Sequence, residues 1–127
     1  MAIVGIGTDL ARISRFRAFL DSGKTAIIER VFCAEEKSYS LAKRDPASHL
    51  AARFAVKEAF LKALGLGLRK GITWQDMEVI RDSLGKPSLQ LAGRAAEICR
   101  ERGVVSVHLS YSHDGDYATA TVVLEGP

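Results

Sequence analysis

Two carboxylates and a few lysines are the residues of this chain best suited to chemistry. Asp9 closes the run Gly5-Ile6-Gly7-Thr8-Asp9, and Glu58 lies inside the stretch from Arg53 to Gly65. Two hard oxygen donors converging on a cleft suit Mg²⁺, which is commonly held by one or two carboxylates with water and substrate phosphate completing its shell. Lys57, Lys62 and Lys86 are the candidate phosphate ligands, each a point charge on a flexible stem. Lys57 stands out for its apolar neighbours, Lys86 for its place in the turn Gly85-Lys86-Pro87. His113, next to Ser112, suits a base, an anion ligand or plain turn surface. A plainer reading stands beside each. Asp9 also suits a helix N-cap, and Glu58 stands one turn before Lys62, the favourable order for an ordinary helix pair. Spacing alone leaves both open. The chain has no zinc spacing, P-loop, dinucleotide fingerprint or defensible Ser/His/Asp arrangement.

The elements that must position these residues follow from local pattern. No Pro or internal Gly interrupts Ala47 to Leu64, which predicts a strong helix opened by Pro46 and closed by Gly65 as a left-handed C-cap. Leu50, Phe54, Leu61 and Leu64 form one apolar stripe of that helix. Ala51, Ala52, Ala55, Ala59 and Ala63 form a second, smooth face. A helix apolar on nearly all sides is buried, yet Lys57 projects within the stripe and Glu58 at its border. Unpaired burial of either charge is costly, so the pair must reach water, find partners or serve a ligand.

Ala2 to Asp9 reads as a strand and Leu10 to Leu20 as a helix, with Ile13, Phe16 and Leu20 facing the core. Arg12, Arg15 and Phe19 share a neighbouring face, which pattern alone assigns to solvated surface. Short helices follow at Thr25 to Val31 and from Ala34. The second half reads as a hairpin (Thr73 to Arg81 and Pro87 to Leu91), a helix from Ala92 to Arg102, and two strands, Val104 to Ser112 and Tyr117 to Leu124, joined by a turn at His113 to Asp116. The order β, helices, ββ, α, ββ implies an α+β fold, a mainly antiparallel sheet with helices packed on one face.

With 127 residues, 47% hydrophobic and 26% charged, the chain is expected to form a single domain spanning residues 1–127, with a real core. Eighteen basic against fifteen acidic side chains suit an anionic partner without demanding one. The charge is too dispersed to make a nucleic-acid module on that ground alone. Cys33 and Cys99 are expected to be reduced, buried thiols. The N-terminus lacks the basic and apolar regions of a signal peptide, and no segment approaches a membrane span, so a cytoplasmic location is expected.

Gly5-Ile6-Gly7-Thr8-Asp9-Leu10 and Arg53-Phe54-Ala55-Val56-Lys57-Glu58-Ala59, with Lys62-Ala63-Leu64-Gly65 after it, resemble the two signatures of the holo-acyl-carrier-protein synthase family. This is the small bacterial type of 4'-phosphopantetheinyl transferase. The resemblance runs the length of the chain, through Gly85-Lys86-Pro87 to Ser110-Tyr111-Ser112-His113 and Tyr117-Ala118. It implies a 4'-phosphopantetheinyl transferase-like fold and transfer of the phosphopantetheine arm of coenzyme A to a serine of apo acyl carrier protein.

Carried onto these positions, the resemblance implies Asp9 and Glu58 as Mg²⁺ ligands and Lys62 as a catalytic contact to the coenzyme A phosphates. Gly65, Gly85, Lys86, Pro87, Ser112 and His113 become expected coenzyme A contacts; Lys57, on a different face from Glu58, is expected either to anchor the helix or to contact phosphate across the subunit boundary. Arg12, Arg15 and Phe19 become the carrier-docking face, reversing the pattern-only assignment. Glu35 or Glu36 is expected to orient a metal-associated water. The resemblance also implies a homotrimer with each site between neighbouring subunits. Leu66 stands where many relatives have Thr, which removes a hydroxyl contact there. The rival expectations are a non-catalytic carrier-binding module, independent of Asp9 and Glu58, and a small RNA-binding domain suggested only by the basic balance.

Overall fold

The long alanine-rich helix forms as its sequence demands. In the computed structural model, which describes residues 1–127, helix α4 runs Pro46–Leu64, with proline in its first turn and Gly65 left-handed (φ 73°) at its C-cap. Thirteen of its nineteen residues are buried, including every alanine except Ala63. It lies across a three-stranded antiparallel sheet in the order β1-β5-β4. The strands are β1 (Ala2–Arg12), β4 (Ser106–Asp114) and β5 (Tyr117–Gly126). A separate hairpin pairs β2 (Met77–Arg81) with β3 (Pro87–Leu91), so the antiparallel pairing is divided between two sheets. Helices α1 (Ile13–Asp21), α2 (Thr25–Val31), α3 (Ala34–Leu41) and α5 (Gly93–Glu101) complete the α+β arrangement. No helix is long and apolar enough to cross a membrane.

Three local departures from pattern have identifiable causes. Strand β1 continues past Asp9 to Arg12, because β5 offers partners that far: Asp9 faces Ala120, Leu10 faces Thr119 and Arg12 faces Tyr117. Asp9 is therefore a strand residue and caps no helix. The capping work falls to Asp116, in the distant β4–β5 turn. Its carboxylate accepts from the Ser14 N–H and hydroxyl, both at 2.8 Å, and its carbonyl accepts the Ile13 N–H at 2.7 Å. Orphan N–H groups at a helix start need such acceptors.

The expected strand from Thr73 begins instead as a 3₁₀ turn, Trp74–Asp76. Asp76 bonds back to the Thr73 hydroxyl at 3.0 Å, a local alternative to strand pairing. The β4–β5 turn is shorter than the expected four residues. His113 pairs with Ala118 and Asp114 with Tyr117, leaving only Gly115 and Asp116 as the connection.

Candidate active site

Gly5 and Gly7 set the site by letting β1 touch α4. A Cβ on Gly7 would lie 1.9 Å from the Ala59 carbonyl oxygen, and one on Gly5 2.0 Å from that of Ala63. Any side chain at either position forces the two backbones apart. Residues 5, 7 and 9 share one face of the strand. The glycine contact therefore directs Asp9 toward the helix, where Glu58 and Lys62 each precede a contacting alanine. The Lys62 ammonium donates to Asp9 Oδ1 at 2.9 Å and to the Thr8 carbonyl at 3.1 Å. Lys62 thus crosses to the strand instead of pairing with Glu58 along its own helix.

Glu58 is half-buried, and its carboxyl is pushed above the usual range, first by burial and then by the Asp9 charge. Lys62 and Arg15 pull the other way without cancelling the shift. The cleft has a volume of about 470 Å³ and is lined by Asp9, Glu58, Arg12, Arg15, Phe54 and Tyr117, among others. No third His, Cys, Asp or Glu joins the two carboxylates in a cluster. Two neighbouring carboxylates opening on a polar cleft fit Mg²⁺, which takes few protein ligands and keeps water and phosphate for the rest.

The basic wall differs from a simple helix face. Arg12 ends β1, where its guanidinium donates to the Tyr117 hydroxyl at 3.1 Å and lies 5.4 Å from that ring's centroid. Arg15, on α1, sits 5.7 Å from the Phe19 centroid and 5.4 Å from that of Phe54. Phe19 is half-buried and lines an adjoining groove with Lys24 and Arg30. Tyr117 and Asp116 are legible only as part of the resemblance and of a turn; their roles beside Arg12 and at the start of α1 depend on the β4–β5 register.

Lys57 departs from the expected phosphate contact. It is fully buried, and its ammonium donates to Glu36 Oε1 at 2.6 Å, the Val31 carbonyl at 2.7 Å and the Trp74 carbonyl at 3.3 Å. All three protons are used inside the chain. Glu36 is equally committed: it also accepts the Cys33 N–H at 2.9 Å and the Val79 N–H at 2.8 Å. Buried and fully bonded, Glu36 cannot orient water at the Asp9 cleft. Glu35 is exposed on the rim of a different pocket.

Gly65, Gly85, Lys86, Pro87, Ser112 and His113 do not line the Asp9–Glu58 cleft. Gly65 caps α4. Gly85 and Lys86 belong to the β2–β3 turn, where Asp82 accepts the Lys86 N–H at 2.9 Å, and Pro87 begins β3. Ser112 and His113 are exposed on β4. One chain brings together Asp9, Glu58, Lys62, Arg12 and Arg15, leaves Lys57 in its interior and keeps the other expected coenzyme A contacts outside this cleft.

An α+β scaffold that closes a glycine strand onto a Lys-Glu helix, with two carboxylates at the junction, defines a class of phosphate-handling transferase. The chain belongs to the 4'-phosphopantetheinyl transferase superfamily, whose family model matches residues 5–122. It is 65% identical to a holo-[acyl-carrier-protein] synthase of Syntrophotalea carbinolica over 122 residues, 96% of this chain and 95% of that protein. Among solved structures it resembles the holo-[acyl-carrier-protein] synthase of Neisseria meningitidis with a TM-score of 0.87 and 35% identity, covering 98% and 99% of the two chains. A Bacillus anthracis synthase in complex with coenzyme A (3',5'-ADP) superposes with a TM-score of 0.80 at 35% identity, covering 98% of each chain.

Proposed function

We propose that this chain transfers the 4'-phosphopantetheine group of coenzyme A to a serine of apo acyl carrier protein, releasing adenosine 3',5'-bisphosphate. The observation that carries this reading is the convergence of Asp9, Glu58 and Lys62 where Gly5 and Gly7 touch α4. The family match supplies the substrates. The serine oxygen attacks the β-phosphorus as the bond to the bridging oxygen breaks. The bridging electron pair leaves with adenosine 3',5'-bisphosphate, and the serine proton passes to water. Such a transfer rests on positioning and electrostatics, with no covalent enzyme intermediate.

Asp9 and Glu58 would hold Mg²⁺. When bound, the ion offsets charge on the pyrophosphate oxygens and the leaving group. Lys62 supplies a mobile positive charge at the same junction, with its side chain half exposed. Arg12 and Arg15 line the cleft and present positive charge to the acidic carrier, with Phe19 as an apolar anchor beside them.

A homotrimer with sites between subunits is part of the same reading. It is supported by the outer sheet face, where Ile3, Ile6 and Leu10 are each more than 60% exposed. It is supported too by the absence of the remaining expected coenzyme A contacts from the lining of the Asp9 cleft. Large uncovered apolar strand faces are unusual on a monomer.

The deciding experiment incubates the protein with apo carrier, coenzyme A and Mg²⁺ and weighs the carrier by mass spectrometry. One added phosphopantetheine, lost with EDTA, is expected. An unchanged mass, while a known transferase modifies the same carrier, overturns the reading.

A further inference from the structure

Strand β1 becomes helix α1 with no residue between them: Arg12 is the last of the strand and Ile13 the first of the helix. Arg12 and Arg15, one on each side of that junction, both line the Asp9–Glu58 cleft. Both are exposed, and no carboxylate lies within ion-pair distance of either. Arg17, two residues further on, pairs with Asp45 at 3.2 Å. The fold therefore spends one arginine of this segment on itself and leaves two uncompensated at the cleft.

An exposed arginine that turns about its side-chain bonds docks poorly, because binding must first order it. Arg12 is already restrained. Its guanidinium donates to the Tyr117 hydroxyl at 3.1 Å and lies 5.4 Å from the centroid of the same ring. One side chain thus supplies both a hydrogen bond and a cation–π contact. The Arg12 side chain makes no other hydrogen bond within the chain, so most of its five N–H donors remain for a carboxylate, which a guanidinium takes in bidentate fashion.

Tyr117 is itself placed by register. It is the first residue of β5 and stands directly opposite Arg12 in the β1–β5 ladder. Asp116, the residue before it, holds the other side of the junction through the Ile13 N–H and the Ser14 N–H and hydroxyl. Two consecutive residues at the start of β5 therefore grip the chain from Arg12 to Ser14. Asp116 fixes the backbone there, and Tyr117 fixes the side chain.

We infer that Tyr117 is a positioning residue for carrier recognition: it holds the Arg12 guanidinium at the lip of the cleft, oriented in advance for a carboxylate of the acidic carrier protein. The identity of that partner rests on the proposed function. Tyr117 acts through Arg12 and not on the reacting atoms.

The test is a double-mutant cycle on Tyr117→Phe and Arg12→Ala with two readouts. Calorimetry gives Kd for apo carrier without coenzyme A, and steady-state transfer is measured with carrier and coenzyme A varied in turn. Tyr117→Phe keeps the ring at an exposed position and removes only the accepting oxygen. It is expected to weaken carrier binding by roughly two- to tenfold, the range of one hydrogen bond. The loss should appear in KM for the carrier more than in kcat or in KM for coenzyme A. In the Arg12→Ala background the same change is expected to cost nothing further, because the group it positions is gone. A merely structural role would persist in that background.

Additive losses overturn the inference, as does an unchanged carrier Kd in Tyr117→Phe. A loss falling mainly on kcat or on coenzyme A also overturns it, since the phenol would then meet the reacting groups itself. If wild type binds the carrier without transferring, the transferase reading fails, and the binding cycle still decides the role of Tyr117. If wild type neither binds nor transfers, both fall, because Arg12 then has no carrier to meet.

Discussion

Gly7 of β1 and Ala59 of α4 meet backbone to backbone, so closely that a single methyl group at residue 7 would overlap the Ala59 carbonyl oxygen. Because the obstacle is backbone, no rotamer change relieves it. Gly7→Ala should lose about 1–3 kcal/mol or more of stability, the scale of overpacking in a tight core. It should also lose transfer activity, because Asp9 moves with the strand. Ala59→Gly should not rescue it. Urea denaturation and the carrier mass assay check both points, and a fully active, fully stable Gly7→Ala variant would count against this contact as the organiser of the site.

Glu58 has a carboxyl raised above its ordinary value of 4.5 by burial and by Asp9. The folded state therefore binds the proton more tightly than the unfolded state between that value and the raised one, and stability falls as pH rises through this window. Glu58→Gln should consequently raise Tm at neutral pH, with the difference from wild type fading as pH drops below about 4.5. The same variant should abolish transfer. A Tm difference that does not change with pH would show that the Glu58 charge carries no folding penalty.

Mg²⁺ should raise the wild-type Tm in a concentration-dependent way, because a ligand that binds only the folded state stabilises it by mass action. Asp9→Asn and Glu58→Gln should each remove most of that rise. Equal stabilisation of both variants would place cation binding elsewhere.

Lys57 and Glu36 form a fully enclosed pair at 2.6 Å that ties α4 to α3 and, through the Val79 N–H, to β2. Removing one member strands the other. Lys57→Met should cost about 3–5 kcal/mol, the usual penalty for orphaning a buried charge. Equilibrium denaturation measures it, and a loss below about 1 kcal/mol would mean that the interior relaxes around Glu36.

Arg15 stands over the Phe19 and Phe54 rings at the cleft wall. Arg15→Ala should weaken carrier binding by on the order of 1–3 kcal/mol, raising KM for the carrier more than for coenzyme A. Wild-type association should slow as salt rises, and the variant should be less sensitive. An unchanged carrier KM would remove Arg15 from the docking surface.

Much of this protein is legible along the chain because the signals are local. Helix α4 follows from uninterrupted alanine and leucine with Pro46 and Gly65 at its ends, and the sheet-plus-helices class follows from the order of alternating and helical segments. Asp9 and Glu58 stand out because a carboxylate after Gly-x-Gly and a charge in an apolar helix both need a reason.

What the tertiary structure alone decides is partnership, which depends on residues far apart in sequence. Lys62 could have paired with Glu58 one turn away, but β1 brings Asp9 nearer. The charge on Lys57 goes to Glu36, 21 positions upstream, and not to a ligand. The start of α1 is capped by Asp116, about a hundred residues later, because β1 pairs with β5 as far as Arg12. Periodicity records which face of an element is apolar. It carries no information about which distant side chain meets that face, and at Asp9 and Lys57 that meeting determines which opposite charge each one finds.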